Sequence, residues 1–308
     1  MKALFTTDST DVVGQIGMTM ASIAYAPNES MIASLLADKT LATQGRWSLA
    51  WYGVDAGNQV YVAQDSVTGQ YAIAIRGSVT NPRTKAFWID WFRQDLSVFR
   101  HVPWPYGGAP EGAKVSRGSL HGLGSLLSLK DANGLDLPGF FRANADRPFL
   151  TAVVGHSLGG ALATMLAAYL HQEFSPGQNV LDFWPVTFAG PTAGNAEFAR
   201  WLETQFAMGN SRYFNSNDIV PHAWQDLTWI RQSFPGGPSF PWELVPLLDG
   251  IEEVLKLERA DYTQPGPGTA LLNPIELGVS WYSEAGTQHA GTTYLSLLGA
   301  PPVNNGSN

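Results

Sequence analysis

Cysteine is absent from all 308 positions. Disulfides, thiolate metal sites and cysteine nucleophiles are therefore excluded, although compartment is not, since many exported chains also lack cysteine. Charge is scarce as well. Charged residues make up 14% of the chain, and 18 Lys and Arg against 26 Asp and Glu leave a formal net charge of −8. With no basic cluster to offset that repulsion, nucleic acid and strongly anionic membranes are disfavoured as partners. Long apolar runs are missing too: no window reaches the ~18 continuous apolar residues of a membrane span. The start, "MKALFTTDSTDV", offers only "ALF" before polar residues, too short for a signal-peptide core. The expectation is a soluble protein, with secreted and cytoplasmic destinations both open.

What is present points to a folded protein. Hydrophobic residues reach 44% and aromatics 12%, with 11 tryptophans. That is more aromatic surface than a core needs, so part of it should line a surface that meets apolar ligands. Residues 11–26 and 28–43 read as N-terminal helices, and "QVYVAQD" and "QYAIAIRGS" as a hairpin joined by "SVTG". Strands are predicted at 148–155, 180–190 and 211–216, alternating with helices at 158–174 and 195–208. That rhythm predicts an α/β fold, a mainly parallel sheet with helices on both faces. One domain over residues 1–300 is expected, followed by a disordered tail at 301–308. Residues 79–104 and 223–285 break the rhythm and are too long for plain connections, so they read as lid or cap elements.

The chemistry concentrates at "VVGHSLGGALA", residues 153–163, where Gly155-His156-Ser157-Leu158-Gly159 has the form G-x-S-x-G. A serine on a sharp strand-to-helix turn exposes its hydroxyl, and side chains two residues to either side would collide there, hence the glycines. The helix N-terminus would point its amides at developing negative charge. A serine needs a base, and three histidines follow it in the chain. His171 lies inside the next helix and cannot fold back. His222 closely follows "SNDIVP". His289, in a loop about to enter a helix, is the better base. Asp218 ends the strand "SRYFNSND" and so faces the same crevice as the turn, whereas Asp182 begins a strand at the wrong edge. The order Ser157, Asp218, His289 is that of α/β-hydrolase triads. Oxyanion donors are expected at Leu158, directly after the serine, and at Ser78, on the turn that ends "AIAIRGS".

Six segments in order, "IRGS", "WFRQDL", "GHSLGGALA", "TFAGPTAGNAEFA", "YFNSNDIVPH" and "HAGTTYL", resemble the class 3 lipases, the family of filamentous-fungal triacylglycerol lipases. The resemblance spans roughly residues 60–300. It implies an α/β-hydrolase fold, carboxylic ester hydrolysis without cofactor or metal, the triad Ser157, Asp218 and His289, and the oxyanion donors Ser78 and Leu158. It also implies a lid after the oxyanion loop, matching residues 79–95, where Trp88, Trp91 and Phe92 would shed apolar surface onto lipid or pack as core beneath the loop. His156 and His222 are assigned to the substrate pocket, His222 alternatively to packing. The stretches 78–91 and 218–289 look longer than in the fungal enzymes. The expected partners are a lipid ester and a lipid–water interface, with no nucleic acid and no stable protein partner implied. Triacylglycerol hydrolysis is the leading reading. A phospholipase A1, a short-chain or aromatic carboxylesterase, and a non-catalytic binding protein of the same fold are the alternatives.

Overall fold

The computed structural model describes Phe5 and residues 10–79, 81–94, 100–144, 150–174, 182–206 and 211–306. The chain opens with helices α1 (Thr10–Ile23) and α2 (Glu29–Leu36), then an antiparallel trio β1 (Trp47–Val54), β2 (Gln59–Asp65) and β3 (Tyr71–Ile75). Helix α3 (Lys85–Gln94) and a small ladder of β4 (His101–Pro103) with β5 (Lys114–Ser116) follow, then α4 (Arg117–Ser128) and α5 (Leu137–Asn144). The βα units come next: β6 (Leu150–His156), α6 (Leu158–Phe174), β7 (Asp182–Phe188), α7 (Ala196–Gln205) and β8 (Ser211–Asn215). The last third holds α8 (Leu227–Arg231), α9 (Val245–Glu258), β9 (Thr269–Leu271), α10 (Trp281–His289) and α11 (Gly291–Leu297).

Among the described residues, seven strands form one sheet in the order β1-β2-β3-β6-β7-β8-β9, parallel from β3 onward. Period-two alternation assigns its faces. Ile73, Ile75 and Val153 point to a cluster with α4, α5, α6 and α7, while Ala72, Ala74, Ala152 and Val154 point to α1, α2 and α11. Helix α6 is apolar almost all round, with Gly159 to Ala168 buried without a break, as suits a helix enclosed on every side. This is the α/β-hydrolase fold. No helix among the described residues is long and apolar enough to cross a membrane.

A third cluster, remote from the sheet faces, joins α3, α8, α9 and Trp281 into a cap. Its aromatics do not line a solvent-facing surface: Trp88 and Phe92 are buried. Trp91, half-buried, stacks on Trp224 at 5.1 Å. Trp224 itself holds φ +70°, a left-handed conformation costly for a bulky residue and sustained here by that packing.

Several expectations change. Strand β1 lies in a stretch where none is predicted, because "WSLAWYGV" breaks alternation at a bulge between Leu49 and Trp51. Helix α2 stops at Leu36, seven residues short. The tail predicted to be disordered is ordered through residue 306: Val303 is buried, and Asn305 Nδ2 donates to Ser22 O at 2.8 Å. A proline pair and polar residues suggest disorder locally, but Ser22 in α1 and Met31 in α2 supply contacts. The predicted ends 148–149, 180–181 and 207–208 lie outside the described residues, as do residues 80, 95 and 307–308.

Candidate active site

Strands β6 and β8 run parallel, so their C-terminal ends open on one crevice. Ser157 follows β6 directly at φ +59°, and its amide donates to Phe188 O at 3.0 Å. The glycines are steric necessities. A Cβ on Gly155 would run into the Gly159 carbonyl, and one on Gly159 would sit 2.5 Å from Ile75 O. With those gaps kept, the serine side chain is aimed out of the sheet.

Ser157 Oγ lies 2.9 Å from His289 Nε2, and His289 Nδ1 lies 2.9 Å from Asp218 Oδ2. Ser157, Asp218 and His289 are all buried. The arrangement assigns the tautomer: Nδ1–H donates to the carboxylate, leaving Nε2 free to accept the serine proton. Asp218 is held in turn by Val220 N on Oδ1 at 3.0 Å and by the Tyr294 hydroxyl on Oδ2 at 2.8 Å. His289 is not in a loop, as expected, but is the last residue of α10, before the extended Ala290 that separates α10 from α11. A buried strut fixes that helix end: Asn215 Nδ2 donates to both Gln288 O and Gln288 Oε1, tying the exit of β8 to α10.

The oxyanion candidates flank the serine. Leu158 opens α6, and a Cβ on Gly77 would lie 3.3 Å from Ser157 Cβ, which puts the turn bearing Ser78 against the nucleophile. Ser78 and Leu158 are both exposed. Helix α3 covers the histidine side of the crevice. Trp88 sits edge-on to His289 at 6.4 Å and to Trp281 at 5.8 Å, and its Nε1 is buried with no partner among the described residues. A separate open groove of about 440 Å³ on the flank of the cap is lined by Trp224, Asp226, Leu227, Glu252, Lys256 and Asp261, and no triad residue lines it. Among the described residues no cluster of three or more His, Asp or Glu is placed to hold a metal ion.

The description "Lipase (class 3)" belongs to the family model that matches residues 72–227, half of the chain. The chain belongs to the class 3 lipase family. A chloroplastic phospholipase A(1) of Arabidopsis thaliana is 30% identical over 47% of this chain and 33% of its own length. The secreted mono- and diacylglycerol lipase 1 of Fusarium solani is 28% identical over 66% of this chain and 56% of its own. The chain thus spans between a third and somewhat over half of these curated relatives. Among solved structures, M37 lipase is similar at 25% identity, with a TM-score of 0.79 over 95% of this chain and 93% of that one.

Two of the pocket assignments do not match the structure of this chain. His156 does not face the crevice. It is buried behind the triad, with Nδ1 accepting from the Tyr25 hydroxyl at 3.2 Å and Nε2 donating to His289 O at 2.9 Å. Burial, and then the neighbouring His289, push its pKa down to about 3. A side chain next to the nucleophile in sequence points the opposite way across a strand, which is why it lies behind. His222 stacks flat on Trp229 at 3.8 Å and is a packing residue, its pKa lowered chiefly by burial. Of the residues the sequence reading missed, Tyr294 had a signal, lying five positions beyond His289 inside "HAGTTYL". Tyr25 had none, since its partner His156 is 131 residues away.

Proposed function

We propose that this protein is a serine carboxylic ester hydrolase acting on lipid esters, with triacylglycerol as the leading substrate class. The carrying observation is the Ser157–His289–Asp218 relay, with 2.9 Å at each step, beneath an apolar cap. Ser157 Oγ attacks the ester carbonyl while His289 Nε2 takes its proton, and the imidazolium so formed is stabilised by Asp218. The Leu158 amide and Ser78 hold the oxyanion. Collapse expels the alcohol, protonated by His289. Water, deprotonated by the same imidazole, then releases the acid and restores the serine. Lipid-ester hydrolysis, rather than a small polar ester, is supported by the aromatic cap over the site and by relatives named for mono- and diacylglycerols. The Arabidopsis relative named as a phospholipase A(1) favours a phospholipid as the second reading.

The test is a hydrolysis profile on p-nitrophenyl esters from short to long chains, beside emulsified triacylglycerol and phosphatidylcholine, for wild type and Ser157→Ala. Activity that peaks on long chains and disappears in Ser157→Ala is expected. Hydrolysis surviving that substitution would sink the mechanism, and activity confined to short soluble esters would sink the lipid assignment.

A further inference from the structure

Helix α10 ends on the catalytic base, and a helix leaves its last four carbonyls without partners of its own. In α10 these belong to Gly286, Thr287, Gln288 and His289. Gly286, Gln288 and His289 are buried, so bulk water does not serve them, and the extended Ala290 does not continue the helix. Three of the four carbonyls are met instead by side chains from other elements. Thr293 Oγ1, on α11, donates to Thr287 O at 2.6 Å. Asn215 Nδ2, at the end of β8, donates to Gln288 O at 3.0 Å. His156 Nε2, at the end of β6, donates to His289 O at 2.9 Å.

The two strand donors are themselves fixed. Asn215 is fully buried: its amide donates to the Tyr294 hydroxyl at 2.9 Å, and its carbonyl accepts from Asp218 N at 2.9 Å. Its Oδ1 accepts from Asn273 N at 3.1 Å. For His156 the tautomer follows from its partners. A carbonyl can only accept, so Nε2 bears the proton and Nδ1 takes the Tyr25 hydroxyl. Both donors come from the strands that carry the other members of the triad. His156 precedes Ser157, and Asn215 lies three residues before Asp218. The base is thus tied to the same two strand ends as the nucleophile and the acid, although 132 and 71 residues of chain separate it from them.

We propose that Asn215, His156 and Thr293 form a built C-cap for α10, and that this cap positions the base for turnover by holding the His289 main chain where Nε2 meets Ser157 Oγ. They are positioning residues, acting through His289 rather than on the ester. The proposal rests on the ester-hydrolase reading for the reaction it serves, though the placement of His289 can be read without turnover.

The experiment measures kcat and KM on dissolved p-nitrophenyl acetate for wild type, Asn215→Ala, His156→Leu, His156→Gln and Thr293→Val, each below its thermal midpoint. Proton NMR of the His289 Nδ1–H that faces Asp218 reports the placement of the base directly. Tyr61→Phe is the control: the Tyr61 hydroxyl donates to Met20 O near the end of α1 at 2.8 Å, a contact of the same kind on another helix. Asn215→Ala and His156→Leu are expected to lower kcat about 100-fold, the scale of a displacement of about 1 Å, with KM little changed. Thr293→Val, which removes one hydroxyl, should lower kcat about five-fold. His156→Gln, which can still donate to His289 O, recovers most of what His156→Leu loses. The Nδ1–H resonance shifts or broadens wherever kcat falls, and Tyr61→Phe keeps both at the wild-type level.

Wild-type kcat in folded Asn215→Ala or Thr293→Val overturns the positioning role. So does His156→Gln no faster than His156→Leu, or Tyr61→Phe slowed as much as the cap variants. If Asn215→Ala and His156→Leu do not fold, Thr293→Val and His156→Gln decide: kcat must fall in the first and stay near wild type in the second. Wild type that cleaves no ester refutes the ester-hydrolase reading. The resonance then judges the cap alone, and its constancy in Asn215→Ala and Thr293→Val overturns the proposal.

Discussion

Replacing His156 with Gln isolates how much acid sensitivity one buried imidazole contributes. In the folded chain His156 holds its proton only below a pH of about 3, because it is buried and because His289 lies beside it, against 6.5 for an unperturbed histidine. Its folded pKa is depressed, so the neutral ring favours folding fully above pH 6.5, and that stability is lost as pH falls toward 3. At pH 4.5 the unfolded chain binds this proton and the folded chain does not, which costs on the order of 3 kcal/mol. Glutamine can still donate to His289 O but cannot take up a proton. Its lost contact with Tyr25 lowers stability equally at both pH values. His101, His171 and His222, also lowered chiefly by burial, act alike in both proteins and cancel. Urea unfolding at pH 7.5 and pH 4.5 reads the difference: wild type should lose on the order of 3 kcal/mol more than His156→Gln between the two. Equal losses would mean that His156 protonates without unfolding the chain, and the argument from burial would fail.

Trp88→Ala removes a fully buried indole from beneath α3, at a cost of about 3 kcal/mol to the covered arrangement. The rate on dissolved short esters should then rise by up to about 100-fold, with a smaller jump on emulsions. A flat rate with an intact jump would show that α3 does not limit access. Tyr294→Phe takes a donor from Asp218 and leaves the Asn215 amide without its partner, so urea unfolding at pH 7.5 should show a loss of about 2–4 kcal/mol. Stability equal to wild type would rule out that role for the hydroxyl.

The Ser157–Asp218–His289 arrangement could be read from the chain because each member sits at or just beyond the end of a strand or helix, and those boundaries carry local signals. Gly155 and Gly159 mark the turn by steric need, and Asp218 follows β8 by three residues. The direction of a side chain across the sheet was less legible. His156 reads as a neighbour of the nucleophile until its strand position turns it toward Tyr25. The tail at 301–306 illustrates the opposite failure, for its order comes from Ser22 and its neighbours, far away in sequence. In the cap, composition signals aromatics in excess but not which of them are covered. Trp88 and Trp242 look alike in the sequence and have opposite exposure, because only the packing of α3 against α9 and α10 separates them.

The 132-residue separation of Ser157 and His289 also sets a timetable. At roughly 5–20 residues per second, the ribosome makes the strained turn about 7–26 s before it makes the imidazole that serves it. During that interval the emerging chain carries a serine hydroxyl without His289. Every strand of the sheet, through β9, precedes His289 in the chain. The base is thus made after the whole sheet, with only Tyr294 of the residues around Asp218 still to come, and a chain stalled midway displays the serine turn without its base.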